Sequence, residues 1–151
     1  MATETVAAPH GCTNLKLRQA SRLITRHYEA YVAPTGLKNT QYSLLSHVVK
    51  LGPIRAGDLA AAMQLDASTL TRNLQPLLHQ GWVAVSTGED ARSRILEATE
   101  SGRALRQHAQ RSWKQAQLAL NARLGRARVA ALHGLLDECM ALLADPEDAD
   151  E

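Results

Sequence analysis

The 151 residues carry a formal net charge of +2, an apolar fraction of 45% and no phenylalanine. That length fits one domain with its own core. Tyr28, Tyr31, Tyr42, Trp82 and Trp113 are the whole aromatic content, so leucine and alanine must fill that core, which excludes an aromatic-rich β-sandwich and favours packed helices. The charge is unevenly spread: residues 1–136 hold +17 and −8, a net of +9, ahead of an acidic end, "ADPEDADE". A basic body suits a polyanionic partner, the plainer reading being solvated helix faces. Cys12 and Cys139 make no disulfide framework, "MATETVAAPHG" lacks the basic start and apolar stretch of a signal peptide, and no apolar run is long enough to span a membrane. The expected setting is a reducing, cytoplasmic one.

Residues 1–12 read as a flexible tail. From Thr13, the spacing of Leu17, Ala20, Ile24 and Tyr31 predicts a helix ending before "PTG", with Arg18, Arg22 and Arg26 on another face. Thr40 is the expected cap of a second helix, "QYSLLSHVVKL", stopped by Gly52 and Pro53. After about one extended residue, "RAGDLAAAM" predicts a short third helix and "QLD" a turn. Asp66 can cap a fourth helix running to about Gln80, with Gly81 as its C-terminal stop. The period then changes: "WVAVS" and "RILEA", separated by "TGEDARS", predict a two-stranded hairpin. Thr99 is the expected cap of a long helix to Leu124. Gly125 interrupts it, and a last helix carries Val129, Leu132, Leu136, Cys139 and Leu143 as an apolar seam in which Cys139 is expected to be buried. Terminal seams of this kind zip two chains together, so a homodimer is expected.

A short helix and turn leading into a capped helix, then a hairpin, is the order of a winged helix-turn-helix. The expected fold is mainly α with a small β-hairpin wing. The winged helix-turn-helix occupies residues 38–99, helical dimerisation regions lie at 13–35 and 100–145, and an acidic tail at 146–151. In such a module the second helix enters the major groove with its N-terminal half toward the bases. Here that half is "DASTLTRN": Ser68, Thr69, Thr71 and Arg72, with Gln75 one turn on, can meet phosphates or base edges. Ordinary helix-start capping is the plainer reading of its hydroxyls. In the hairpin loop, Arg92 and Arg94 can enter a narrow minor groove, with Asp90 accepting from the Arg92 guanidinium to hold it extended. Against this stands the balance of residues 55–103, five arginines to six acids. Pro76 lies inside the reading helix, where it removes the hydrogen bond to the Arg72 carbonyl at roughly 3 kcal/mol. The expectation is a bend or weakened turn there, separating a reading half from the anchoring Leu77, Leu78 and Gly81.

The stretches "RQASRLITRHYEAYVAPTGLKNTQYSLL" (18–45), "LAAAMQLDASTLTRNLQPLLHQGWV" (59–83) and "EDARSRILEATESGR" (89–103) resemble the MarR family of winged-helix bacterial transcription regulators, over about residues 13–143. The carrying pattern is an aspartate and arginine one residue apart in the wing, Asp90 and Arg92, then a threonine and glycine opening the long helix. The resemblance implies a homodimer with interleaved first and last helices and two wings embracing a pseudo-palindromic operator, and a repressor, as most members of the family are. Two departures stand out: "IRAGDLA" lacks the hydroxyl cap common at the start of the third helix in the family, and Ala98 is smaller than the usual leucine.

The resemblance also implies a small aromatic or carboxylic effector bound between the dimer helices and the DNA-binding lobe. Arg18 or Arg22 can pair with its carboxylate, and Tyr28, Tyr42, His47 and Trp113 can line the site, core filling being the plainer reading of the aromatics. As an alternative, Cys12 near a helix N-terminus suits thiol-based redox sensing. His10 and Cys12 are too few for a metal site, and no cofactor is expected. The six histidines are scattered and no phosphate loop, nucleophile elbow or carboxylate pair is present, so no enzyme is expected. A helical interaction protein that binds no DNA is the remaining alternative.

Overall fold

The computed structural model describes residues 6–144, so residues 1–5 of the expected tail and the whole acidic tail lie outside the described residues. The chain runs α1 (Thr13–Val32), a short 3-10 turn (Ala33–Thr35), α2 (Asn39–Leu51), β1 (Ile54–Arg55), α3 (Ala56–Ala62), α4 (Ala67–His79), β2 (Val83–Thr87), β3 (Arg94–Ala98), α5 (Glu100–Leu124) and α6 (Arg126–Leu143). Each helix from α1 to α6 lies where a helix was expected, and the helix-turn-helix pair and wing appear in the expected order.

Three local expectations need correction. The cap of α2 is Lys38 and not Thr40, which lies inside the helix. The Lys38 amide donates to Oε1 of Gln41 at 2.9 Å, and the next amide, Asn39, donates to Glu29 of α1 at 2.9 Å. These acceptors satisfy helix-start amides that a hydroxyl would otherwise serve. The extended residues before α3 are a third strand, so the wing is a three-stranded antiparallel sheet in the order β1-β3-β2. Ile54 pairs Leu96 and Arg55 pairs Ile95, while β2 and β3 pair from Val83↔Ala98 to Thr87↔Arg94. The third correction is Cys139, which is exposed, as is Leu143; only Val129 of the α6 seam is buried, with Leu132 and Leu136 half-buried.

The core sits where α2, α4, α5 and the inner face of the sheet meet. Leu37, Leu44, Leu45, Leu59, Leu74, Leu77 and Leu96 are all fully buried, and Ala109 of α5 is buried against them. Leucine and alanine do fill it, as a chain without phenylalanine requires. Away from this core the outer helices leave apolar side chains in solvent: Leu15, Leu17 and Leu23 on α1, Leu118 on α5, and Leu135, Met140, Leu142 and Leu143 on α6. No helix among the described residues is long and apolar enough to cross a membrane.

A knot of hydrogen bonds fixes α4 relative to α5. Gly81 follows α4 with φ +72°, its amide donating to the Leu78 carbonyl at 3.1 Å while Trp82 donates to Leu77 at 2.9 Å. Only glycine takes that left-handed conformation without a Cβ penalty. The Thr99 hydroxyl donates to the Gly81 carbonyl at 2.6 Å and accepts from the Gly102 amide at 3.1 Å, and the Thr99 amide donates to Trp82 O at 3.0 Å. The threonine and glycine at the start of the long helix thus tie the end of the reading helix to the body of the molecule.

Candidate nucleic-acid interface and ligand cleft

Asp66 does cap α4. Its Oδ1 accepts from the Thr69 amide and from the Ser68 hydroxyl, each at 2.7 Å. The Thr71 hydroxyl donates to the carbonyl of Ala67 at 2.9 Å. The hydrogens of Ser68 and Thr71 are therefore engaged within the helix, and toward an outside partner these two residues offer oxygen lone pairs. Arg72 and Gln75 lie on the same exposed face, and Thr69 is half-buried. The Ser68 hydroxyl first, and then the Thr69 amide, hold the Asp66 carboxyl down from the ordinary 3.8 to about 2. A carboxyl depressed on folding adds stability above its unfolded pKa and loses it as pH falls toward the folded value. Asp66→Asn keeps a capping acceptor that does not titrate. It is expected to flatten the fall in Tm between about pH 4 and pH 2 relative to the parent chain, and parallel acid melting curves would contradict the assignment.

Pro76 does not interrupt α4, which is helical from Ala67 to His79 and closes with Gln80 N donating to the Pro76 carbonyl at 3.1 Å. The division expected along the helix is one between faces. Leu70 and Leu74, before the proline, are as buried as Leu77 after it, while Ser68, Thr71, Arg72, Gln75 and Pro76 share the exposed side. Because Arg72 and Pro76 both lie there, the carbonyl that the proline leaves unpaired is open to water, which lowers the cost of the missing bond.

In the wing, the expected Asp90–Arg92 contact is absent. Oδ1 of Asp90 accepts from the Ser93 amide at 2.9 Å and from the Ser93 hydroxyl, and the Gly88 amide donates to Ser93 O at 2.8 Å. These bonds close the loop and lower the Asp90 pKa, the Ser93 hydroxyl contributing most and the nearby charge of Arg55 adding to it. A carboxylate at the start of a tight turn reaches the amide three residues on more readily than a long flexible side chain two residues on. Arg92 and Arg94 are left exposed, unheld by Asp90.

Five of the six acids of residues 55–103, which count against a polyanion site by number, are placed where they serve the fold, while the sixth, Glu89, lies exposed in the wing loop. Asp58 and Glu100 lie in the first turns of α3 and α5, Asp66 caps α4, and Asp90 closes the wing loop. Glu97 meets Arg103 at 3.6 Å, the only ion pair among the described residues. Negative charge at helix starts is partly offset by the dipole. Arg55, Arg72, Arg92 and Arg94 are all exposed and form no ion pair, so the surface formed by α4 and the wing presents cations.

Between this lobe and the outer helices lies a cleft of about 300 Å3. It brings together four of the expected residues, Tyr28, Tyr42, His47 and Trp113. Trp113 is stacked between Tyr28 and Tyr42, with ring centroids 6.4 and 6.3 Å away, both at 27°. His47 Nδ1 donates to the Ser43 carbonyl at 2.7 Å, leaving Nε2 for an occupant. Burial raises the Tyr28 pKa, so its phenol stays protonated, and its hydroxyl donates to Gln117. Arg18 and Arg22 do not line this cleft; they lie exposed on α1. Its cation is Arg106, unforeseen in the sequence, whose Nε donates to Ser46 at 3.4 Å and whose terminal nitrogen donates to Gln110 at 3.2 Å. The signal was present in the spacing of Arg106, Gln110 and Trp113, which share one face of α5. Cys12 is exposed at the N-cap position of α1. Among the described residues no three His, Cys, Asp or Glu side chains group as metal ligands.

Comparison with known proteins matches this geometry to one family. Residues 35–93, from the end of the 3-10 turn through the wing loop, fit the model of the MarR family. An uncharacterized HTH-type transcriptional regulator of Bacillus subtilis (strain 168), YwoH, is 29% identical over 85 residues, which is 56% of this chain and 62%, under two thirds, of that relative's own length. The M. tuberculosis transcriptional regulator MOSR, solved in complex with DNA, is 33% identical over 85% of this chain and 98% of its own, with a TM-score of 0.70. The transcriptional repressor CouR, bound to a DNA duplex, is 23% identical over 85% of this chain and 92% of its own, with a TM-score of 0.77, a likeness of fold. With a relative one-third identical along almost its whole length, and with the helix-turn-helix, β2 and the wing loop matched to the family's model, the chain belongs to the MarR family, a family of transcription regulators and not of enzymes.

Proposed function

We propose that the chain is a sequence-specific DNA-binding repressor. It acts as a homodimer on a pseudo-palindromic operator and is released by a small aromatic carboxylic acid. The observation that carries the DNA reading is the set of exposed arginines that form no ion pair: Arg72 on the exposed face of α4, with Arg92 and Arg94 on the wing beside it. A relative one-third identical that was solved with DNA supports it. Ser68, Thr69, Thr71 and Gln75 complete the reading face, and Asp90 shapes the wing through Ser93. The exposed leucines of α1 and α6 support the pairing of two copies through the regions 13–35 and 100–145. A gel shift with the DNA upstream of the chain's own gene is expected to show binding at low salt that weakens steeply as salt rises. No shift at low salt overturns the reading.

The effector reading rests on the cleft. An aromatic carboxylate fits its chemistry, with the carboxylate on the Arg106 donors left free by Ser46 and Gln110, the ring along Trp113 and Tyr42, and a hydroxyl donating to His47 Nε2. Such an acid lowers operator affinity only through tighter binding to a state less suited to DNA. Arg106→Gln is expected to weaken 4-hydroxybenzoate binding, followed by tryptophan fluorescence, by about 10- to 100-fold, the worth of hydrogen bonds to a charged group. Equal affinity in the variant would remove Arg106 from the site.

A further inference from the structure

Arg55 is the one exposed cation that belongs to the helix-turn-helix and the wing at once. It ends β1, and its backbone pairs with Ile95, the neighbour of Arg94 on β3. It is also the N-cap residue of α3, the first helix of the reading pair, so no loop intervenes between it and either unit. The strand alternation turns Ile54 partly inward and Arg55 out to solvent. The Arg55 side chain forms no ion pair, the single pair of the described residues being Arg103–Glu97.

We propose that Arg55 is a DNA-backbone contact, gripping a phosphate between the groove read by α4 and the groove entered by the wing. The inference rests on the DNA-binding reading above. A guanidinium is suited to this role because its planar fork can take a phosphate through two parallel hydrogen bonds and stays charged at every working pH. Its position gives it a task distinct from Arg72 and Arg92. A cation at the seam of two reading elements fixes their common register on the duplex without reading a base. It also helps the unit to hold DNA while acidic by count, since Asp66 and Asp90 are occupied by local hydrogen bonds while the Arg55 side chain forms no ion pair.

The test is the salt dependence of binding by the full chain, measured by fluorescence anisotropy on two probes: the upstream duplex and an arbitrary duplex of the same length. A phosphate contact is sequence-blind, so Arg55→Gln is expected to weaken both probes by a similar factor. It should also reduce the slope of log K against log salt by about 0.9, the share of one phosphate. Arg55→Lys, which keeps the charge, is expected to restore most of that slope. Binding by the parent chain with an unchanged slope in Arg55→Gln overturns this inference alone. A loss confined to the upstream duplex also overturns it, because that pattern means a displaced wing and lost base reading. Absence of binding by the parent chain to either probe at low salt overturns the DNA-binding reading and this inference with it.

Discussion

Gly102→Ala is expected to lower Tm by roughly 6–12 °C, the largest stability effect of any single methyl added to this chain. Gly102 lies in the first turn of α5, and a Cβ built there falls 2.0 Å from the carbonyl oxygen of Trp82 and 2.9 Å from its carbon. Those are backbone atoms, so no side chain can swing aside. Relief requires α5 to lift from the α4–β2 connection, which pulls the Thr99 amide from Trp82 O and the Thr99 hydroxyl from Gly81 O. Overpacking at about 1–3 kcal/mol, together with weakening of those two hydrogen bonds that amounts to the loss of one, about 1 kcal/mol, gives about 3 kcal/mol. A chain of this length converts each kcal/mol into about 2–4 °C. Gly57→Ala in α3 is the matched control: an added Cβ meets nothing within 4 Å, and alanine is the better helix former. Its Tm should hold or rise slightly. Thermal melts of the two variants decide the matter, and a fall of under 2 °C in Gly102→Ala would contradict this account of the knot.

That knot marks the boundary of what the sequence reveals. Asp66 before α4, Gly81 after it, Thr99 before α5 and Gly125 after it were legible, because each acts on amides or carbonyls within a few residues of itself. The strand Ile54–Arg55 was not. Two residues have no period, and they are extended because β3, far along the chain, offers them a partner. The α2 cap was misplaced for a related reason: Glu29, on another helix, takes the amide that local pattern assigns to a hydroxyl. Gln64 shows the same limit, taking φ +52° in the turn between α3 and α4 with no glycine to announce it.

The candidate site divides along the same line. The exposed face proposed for α4 and the wing arginines follow from local order, and four of the cleft residues could be named once the family resemblance implied an effector cleft. Arg106 escaped notice because a cation on a long helix looks like solvated surface until the fold brings Ser46 and Trp113 around it. Arg18 and Arg22 looked equally suitable in sequence, and the fold leaves them outside the cleft. Asp90 and Arg92 invited pairing by proximity, whereas turn geometry gives Asp90 to Ser93. What was misjudged each time was competition among partners, which no single spacing encodes.

Arg72→Ala and Arg92→Ala are expected to have the largest effects on DNA binding, and they should differ in kind. Arg72 lies on the exposed face of α4 beside Ser68 and Thr71, whose hydrogens are engaged inside the helix. With those hydroxyls reduced to acceptors, Arg72 and Gln75 are the strong donors the helix can offer to a base edge. Truncating Arg72 is expected to weaken the operator by about 1–3 kcal/mol, roughly 5- to 150-fold, and to relax preference at one base pair while sparing an arbitrary duplex. Arg92 has no side-chain hydrogen bond or ion pair among the described residues, so ordering it on DNA costs side-chain entropy. Its truncation should therefore cost less than that of Arg72, and most where a narrow groove concentrates the potential. Anisotropy titrations on the operator, on operators with single base-pair changes, and on flanks with and without A-tracts separate the two. Equal loss on operator and arbitrary duplex would reduce Arg72 to a phosphate contact, and no dependence on the flank in Arg92→Ala would take the wing out of the minor groove. If both hold as expected, the double variant should lose the product of the single losses, because independent contacts add in free energy. A smaller loss would mean that wing and helix engage DNA only together.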